Sequence, residues 1–451
     1  MRDMTVGSPL PLILKFTIPL LISNLFQQLY SISDILLVGH ILGVKALAAV
    51  GAAAPIFFAL IMVCIGFTNG LTVIVAQSFG AKNFARLRKA VFTALLLSVG
   101  FTFLISLAVY LSLDNILHTM NVPVEIYQDT KDFLVVLCCG VVMIVCFNLL
   151  SGFMRALGDS KTPLYFLIFT TLLNIVLNVV FIYFCKMGVA GSSLGTVTAM
   201  SVSAVACWVF IQKRFKILIP RKEDCKININ LCKQNLIIAL PMAVQFSIIA
   251  LSAVITQTIC NKFGFVTIAA MTASLRIEQI GGQPMVSLGI AMSTFVAQNY
   301  GAGRIARLRK GVRQTSLVSF GASIVLAILV FVFGRQIVGV FIPGEEPQMV
   351  EQIMELARTY LKISVVFYFF LGQIFIFRNS CQGMGNSISP MISSIAELIM
   401  RAFAAVYLTK IWGFVGLCFA SPLAWIAGAM VVSFGYFRTV WKIGRKNVKN
   451  R

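Results

Sequence analysis

The chain has 451 residues, 59% of them hydrophobic and 12% charged, with a mean hydropathy of +0.93. Soluble domains are about half apolar and a quarter charged, so this surplus of apolar side chains needs lipid to face, and an ordinary soluble protein is excluded. The net charge of +22 comes from 37 Lys+Arg against 15 Asp+Glu; the basic residues fall in short runs between apolar stretches, so the membrane surface accounts for them and nucleic acid does not.

A helix needs roughly 20 apolar residues to cross the ~30 Å hydrocarbon core. Windows of that length predict about twelve spans, near 12–36, 47–78, 90–113, 133–154, 162–184, 188–212, 234–260, 266–299, 312–334, 360–379, 388–410 and 414–437. A backbone in lipid must satisfy its own hydrogen bonds, which forces helices here, and the alternating pattern of a barrel is missing. The opening "MRDMTVGSPLPLILKF" lacks a short apolar core followed by an A-x-A cleavage site, so the first run is expected to stay as a span.

The first span carries the most informative polar residues. Asp34 sits in "LYSISDILLVGH" with Gln27 and Tyr30 at spacing i, i+3, i+7, a polar stripe along one helical face. A charged carboxylate in mid-membrane costs several kcal/mol, so it is protonated, paired or in a wet cavity. Function or a structural hydrogen bond to a neighbouring helix are the two readings. Pro19 lies fifteen residues earlier, where it marks either a kink or hinge, or a position in the first helical turn.

Further along, Asn148 falls in the fourth span as a candidate substrate contact. Asn174 and Asn178 stand at i, i+4 in the fifth, and Thr196 and Met200 at i, i+4 in the sixth. The amide oxygens with one carboxylate suit Na⁺ binding or a water-mediated proton relay, or else the amides are interhelical packing glue. A basic linker, "QKRFKILIPRKEDCKININ", follows at 212–230. In the second half Glu278 lies near Arg276, as an interfacial pair or a second cation contact. Glu397 and Arg401 stand at i, i+4 in the favourable order for an intrahelical ion pair. Of the eleven cysteines, Cys138, Cys139, Cys146, Cys207, Cys260 and Cys418 lie in apolar runs with no CxxC, and are expected to be small hydrophobes, with no metal site. No GxxxxGK[ST] occurs, so no nucleotide cofactor is expected; no nucleophile–base pair occurs, so the chain is not expected to be an enzyme.

Two long-range patterns organise the spans. About 27 of the 37 Lys+Arg fall in one set of alternate loops and the termini, and about 8 in the other set, which holds most of the loop acids, Glu345 and Glu346 among them. The positive-inside rule then puts both termini in the cytoplasm of a plasma (inner) membrane protein. The chain also repeats. "VAQSFGAKNFARLRKAV" (75–91) matches "VAQNYGAGRIARLRKGV" (296–312) at 11 of 17 positions, "GDSKTP" echoes "GNSISP", and Pro19 and Pro241 open the first span of each half. The predicted organisation is a six-span lobe over 1–212, a cytoplasmic linker over 213–233, a second six-span lobe over 234–437 and a basic tail over 438–451. Two like bundles suit alternating access about a shared axis.

These motifs, with "IPLLISNLFQQLYSISDILLVGHILGVKALAAVG", "RALGDSKTP", "LNIVLNVVFIY", "GVAGSSLGT" and "RIEQIGGQPMVSLGIAMSTFVAQNYGA", resemble the multidrug and toxic compound extrusion (MATE) family over essentially the whole chain. The lone first-span acid is similar to the DinF branch. The resemblance implies an all-α membrane protein of two pseudo-symmetric six-helix lobes in a V, and efflux coupled to H⁺ or Na⁺. It puts the coupling ion at Asp34 with Asn174, Asn178 and Thr196. Substrate contacts are expected at Gln27, Tyr30, Asp34, Asn148, Asn174, Met200 and Glu278, of which the resemblance places Asn174 and Met200 with Asp34 in one first-lobe cavity; it also implies a hinge at Pro19. Relatives often carry Asp where this chain has Asn178, which favours H⁺ over Na⁺. The implied partners are small organic cations or drugs, the coupling ion and membrane lipid, with the chain a monomer. The alternative is a lipid-linked oligosaccharide flippase, which needs several cavity-facing Arg or Lys to hold pyrophosphate; only Arg276 and Arg401 fall deep in predicted spans, each near a Glu.

Overall fold

The computed structural model describes residues 2–341 and 347–449; the side chains of residues 32, 35, 36 and 446–449 lie outside the description, as do Glu345 and Glu346. The described residues form helices and no strand. In the first half these are α1 (Pro9–Leu42), α2 (Val44–Gly80), α3 (Phe84–Leu111), the short α4 (Leu113–Thr119), α5 (Val124–Ala156), α6 (Lys161–Val179) and α7 (Gly188–Arg214). In the second they are α8 (Ile229–Cys260), α9 (Phe265–Gly301), α10 (Ile305–Gly339), α11 (Pro347–Val366), α12 (Tyr368–Gly383), α13 (Ile388–Phe403), the short α14 (Thr409–Trp412) and α15 (Phe414–Cys418), and α16 (Ala420–Lys449). Among the described residues 11 helices are long and apolar enough to cross a membrane, or 12 when α11 and α12 count as one bent span. The expected tenth span at 360–379 is that pair. It starts earlier, at Pro347, and bends by 52° at Phe367, whose backbone leaves the helical region (φ −96°, ψ 3°) with no proline or glycine beside it.

The repeat is copied in backbone detail. Left-handed residues recur in pairs: Gly43 and Gly264 before α2 and α9, Lys82 and Gly303 after them, Gly158 and Gly385, Gly188 and Gly413. Helix α6 ends in a π-helical stretch, Val180–Phe184, and α13 in another, Ala404–Leu408. Such stretches carry wider rings than an α-helix and are rare, so their recurrence at matching places belongs to the shared architecture.

Contacts divide the chain into two compact units, and the division differs from the sequence halves. Unit one holds residues 2–3 and Ile22–Phe246; unit two holds Met4–Leu21 and the described residues from Ser247 onward. Packing explains the exchange. In unit two Met4, Ile13, Phe16 and Leu20 are buried with Leu288, Met292 and Phe295 of α9. In unit one α2 and α8 approach so closely that a methyl group added to Gly70 would lie 2.5 Å from the Cα of Ala239. Pro19 and Pro241, both inside their helices, stand within a few residues of the two changeover points.

The basic stretch between the halves is packed as well. Phe215 and Leu218 are buried, and Asp224 is 4% exposed. The Arg88 Nε donates to Asp224 Oδ2 at 2.6 Å, and the Arg221 backbone N–H donates to the same oxygen at 3.2 Å. Burial alone would push the Asp224 carboxyl up. The Arg88 pairing, the Arg221 N–H and the nearby Lys89 charge outweigh it and hold the group below the usual carboxylate range. A folded-state value lowered in this way contributes stability that is fully present above the unfolded carboxylate's pKa of about 3.9 and is lost as pH falls through the folded value. Asp224→Asn is therefore expected to lower the melting temperature at pH 7. Melting curves recorded down the pH scale should show the gap to wild type closing below about pH 4.

Candidate ion-coupling site

The site is built inside unit one, where α1, α6 and α7 each contribute polar groups to an otherwise apolar interior. Asn174 (1% exposed) and Asn178 (0%) lie one turn apart on the inward face of α6. The Asn178 Nδ2 donates to Asp34 Oδ1 at 2.6 Å and reaches Asn174 Oδ1 at 3.4 Å. Ser192 Oγ on α7 donates to the same Asp34 oxygen at 3.3 Å. Thr196 Oγ1 accepts from Asn174 Nδ2 at 3.2 Å and from Tyr30 Oη at 3.3 Å. One continuous set of hydrogen bonds thus links Tyr30, Thr196, Asn174, Asn178, Asp34 and Ser192.

Local sequence makes the set possible. The small residues of "GVAGSSLGT" let α7 come against α6. At Gly195 an added methyl group would lie 2.1 Å from Asn178 Oδ1, so only glycine leaves the amide room to face Asp34. The Asn178 Oδ1 is buried and, among the described residues, has no hydrogen-bond partner, an expensive condition in a protein interior. Chemically the set offers one carboxylate, two amides and three hydroxyls, which can hold a proton or present oxygens to a small cation.

Of the residues expected here, Asp34, Tyr30, Asn174, Asn178 and Thr196 come together. Met200 is buried one turn beyond Thr196 on α7. Gln27 is exposed and Asn148 donates to the Ile144 carbonyl of its own helix at 2.9 Å, so neither side chain joins the hydrogen-bonded set. Ser192 and Gly195 were not expected. Their signal was present in the small-residue run, but a serine among small residues looks like packing until its partner is known.

The MatE family profile matches residues 19–180 and 241–407. The chain is 30% identical to "Probable multidrug resistance protein YoeA" of Bacillus subtilis over 443 residues, 95% of this chain and 93% of that protein. This chain belongs to the MATE family. It is 21% identical to "Multidrug export protein MepA" of Staphylococcus aureus over 425 residues, 93% of this chain and 92% of that one. Its fold matches a crystal structure of MATE in the bent conformation with a TM-score of 0.90 at 21% identity, covering 99% of this chain and 98% of that chain. The chain is accordingly a multi-pass membrane protein of a transporter family.

Unit two of this MATE protein treats its acids differently. Glu278 on α9 accepts from Tyr360 Oη at 2.7 Å, and the Arg401 charge bears on it; Arg276 is exposed and forms no ion pair with it. Glu397 does not pair with Arg401, one turn along its own helix. It is bound by Arg378 of α12, a residue at the very end of the predicted tenth span that the structure buries at 6% exposed. Arg401 Nη1 instead donates to Ser421 at 3.0 Å. The pairing follows from the fold: two faces of neighbouring helices bring Arg378 to Glu397 in a water-poor interior, where a charge without a partner is far more costly than at the surface.

Gly195→Ala is expected to force Asn178 off Asp34 at about 1–3 kcal/mol of local strain. Dye efflux by the variant should fall by an order of magnitude or more, while circular dichroism stays helical.

Proposed function

We propose that this chain is a secondary antiporter that exports organic cations or amphiphilic drugs in exchange for H⁺, with Na⁺ as the second choice, and that Asp34 carries the coupling ion. The names of its relatives speak for multidrug efflux of the MATE type. The observation that carries the ion-coupling reading is the Asn178 amide, which donates to Asp34 through Nδ2 while its buried Oδ1 stands without a partner.

The amide can serve both protonation states. When Asp34 is ionised it accepts from Asn178 Nδ2 and Ser192 Oγ. When Asp34 takes up a proton it becomes a donor, and a half-turn of the Asn178 amide brings Oδ1 round to accept from it. The same half-turn withdraws Nδ2 from the Asn174 side, and Asn174 passes the change to Thr196 and Tyr30. Proton uptake on α1 is thereby converted into a rearrangement on α6 and α7. In this cycle protonation closes the substrate site and expels the drug; loss of the proton to the other side resets it. Na⁺ would draw on the same amide oxygens, but Asp34 is the one carboxylate of the set, and a single anion with neutral amides and hydroxyls suits a proton better than a tightly held cation.

The wider reading follows from the repeat and the charge pattern. Two units built on one six-span plan support alternating access. Pro19, inside α1 and close to where that helix changes units, is the proposed hinge. Basic residues clustered at one set of helix ends support a cell-membrane protein with both termini cytoplasmic, acting as a monomer. Substrate contacts are assigned to Tyr30, Met200 and the Asp34 set, with Glu278 as a contact in unit two. The oligosaccharide-flippase alternative loses ground because Arg378 and Arg401 are engaged by Glu397 and Ser421.

Purified protein in liposomes, loaded with an ethidium-like dye and driven first by a pH gradient and then by a Na⁺ gradient alone, tests the proposal. Efflux should follow the pH gradient, and Asp34→Asn should abolish it without changing the melting temperature. Undiminished transport by Asp34→Asn sinks the assignment. Asn178→Asp restores the second acid common among relatives and is expected to move the driving ion toward Na⁺, read in the same assay as efflux under the Na⁺ gradient.

A further inference from the structure

The two copies of the basic motif are used differently. In unit two the Arg307 guanidinium is filled by the chain's own N-terminal backbone. It donates to the carbonyls of Met4 (Nη2, 3.1 Å), Val6 (Nη2, 3.0 Å) and Gly7. Arg304 takes the carbonyl of Thr5, Asn299 Nδ2 donates to Met4 O at 3.1 Å, and Met4 N donates to Gln298 Oε1 at 2.9 Å. The motif in this half is a cationic socket, and a row of carbonyl oxygens occupies it.

The repeat places Arg86 where the other half has Arg307, and Lys89 where it has Lys310. Here the socket is open. Among the described residues the one partner of the Arg86 guanidinium is the Gln234 side chain, at 3.1 Å, and the Lys89 ammonium makes no hydrogen bond or ion pair, although its charge bears on Asp224. Beside them is a cleft of about 420 Å³ lined by Asn83, Arg86, Lys89, Asn228, Asn230 and Gln234, with Ala85 and Leu231. Its volume lies within the ~300–1,000 Å³ range of small-molecule sites. Its lining is amide and cationic and carries no acid. Asp224, which feels the Lys89 charge, is already bound by Arg88 at 2.6 Å. Helices α3 and α8 both begin at this cleft, capped by Asn83 and Asn228, so their first-turn N–H dipoles add to the positive field.

We propose that this cleft binds a phosphate group, with Arg86 and Lys89 as its cationic partners and the Asn228, Asn230 and Gln234 amides as neutral donors. The chemistry is that of a tetrahedral oxyanion replacing the carbonyl oxygens that Arg307 holds in the other half. A guanidinium fork and an ammonium side by side suit such a group. A phospholipid headgroup and a soluble phosphate share this chemistry. The inference is independent of Asp34 coupling, since no residue of that hydrogen-bonded set lines the cleft.

The full chain purified in detergent tests it in two arms. In one, inorganic phosphate is titrated against chloride at equal ionic strength and read by thermal melting. In the other, phosphatidylglycerol retained against phosphatidylcholine is counted by native mass spectrometry. Arg86→Ala with Lys89→Ala should weaken binding about tenfold or more, the loss expected on removing charge-assisted hydrogen bonds. Lys310→Ala with Arg313→Ala removes the same charge from exposed positions of the other repeat and should leave binding unchanged. Binding in both arms supports the site for either source, in the lipid arm alone a headgroup site, and in the phosphate arm alone a soluble-anion site. The proposal is overturned if neither ligand outperforms its control, or if the two double variants lose binding equally, which would reduce the effect to general surface charge.

Discussion

Hydrocarbon supplies no hydrogen bonds, so every polar group that the chain carries into the bilayer must find its partner within the protein. Most of the architecture answers that demand in the cheapest way, with helices that close their own backbone bonds and serine and threonine hydroxyls turned back onto carbonyls one turn earlier, as at Thr68, Thr171 and Ser287. The Asp34 set cannot be served this way. A carboxylate has no donor of its own when ionised, so α6 and α7 must bring Asn178 and Ser192 to it. That requirement decides what else is allowed nearby: a glycine at 195, small residues along α7, and two asparagines on one face of α6.

The two units meet the same constraint in opposite ways. Unit two commits its buried charges to fixed partners. Glu397 is bound by Arg378 and Ser393, and Glu278 is held by Tyr360 under the charge of Arg401. Such pairs are balanced by desolvation and add little net stability, but breaking one is costly, so they hold geometry. Unit one gives Asp34 only neutral donors. A carboxylate with neutral partners can change its charge without leaving a buried cation unpaired, which suits a group that gains and loses an ion.

The same contrast runs through the basic loops. One duplicated motif is spent in unit two on anchoring the chain's own N-terminal carbonyls and in unit one is left facing an amide-lined cleft. Duplication preserves the helix ends, the left-handed residues and the π stretches because backbone geometry tolerates few substitutes. Side-chain partners are free to diverge once the backbone frame is kept.

The sequence by itself determined the class of solvent, the number of spans, the internal repeat and the place of the buried acid. These depend on composition, on 20-residue apolar runs and on residues a few positions apart, which are local properties. It also put Asn174, Asn178, Thr196 and Tyr30 on the faces where they are found, because helical periodicity alone sets that. Only the tertiary structure decided the rest. Arg378 could not be assigned to Glu397, nor Ser192 to Asp34, because these partners are far apart in the chain and meet through helix packing. The exchange of the α1 and α8 lead-in segments between units was equally hidden: a helix that changes its neighbours half-way along looks, residue by residue, like any other apolar span. Gln27 shows the converse, since sharing a helical face with Tyr30 and Asp34 does not bring its side chain into their hydrogen-bonded set.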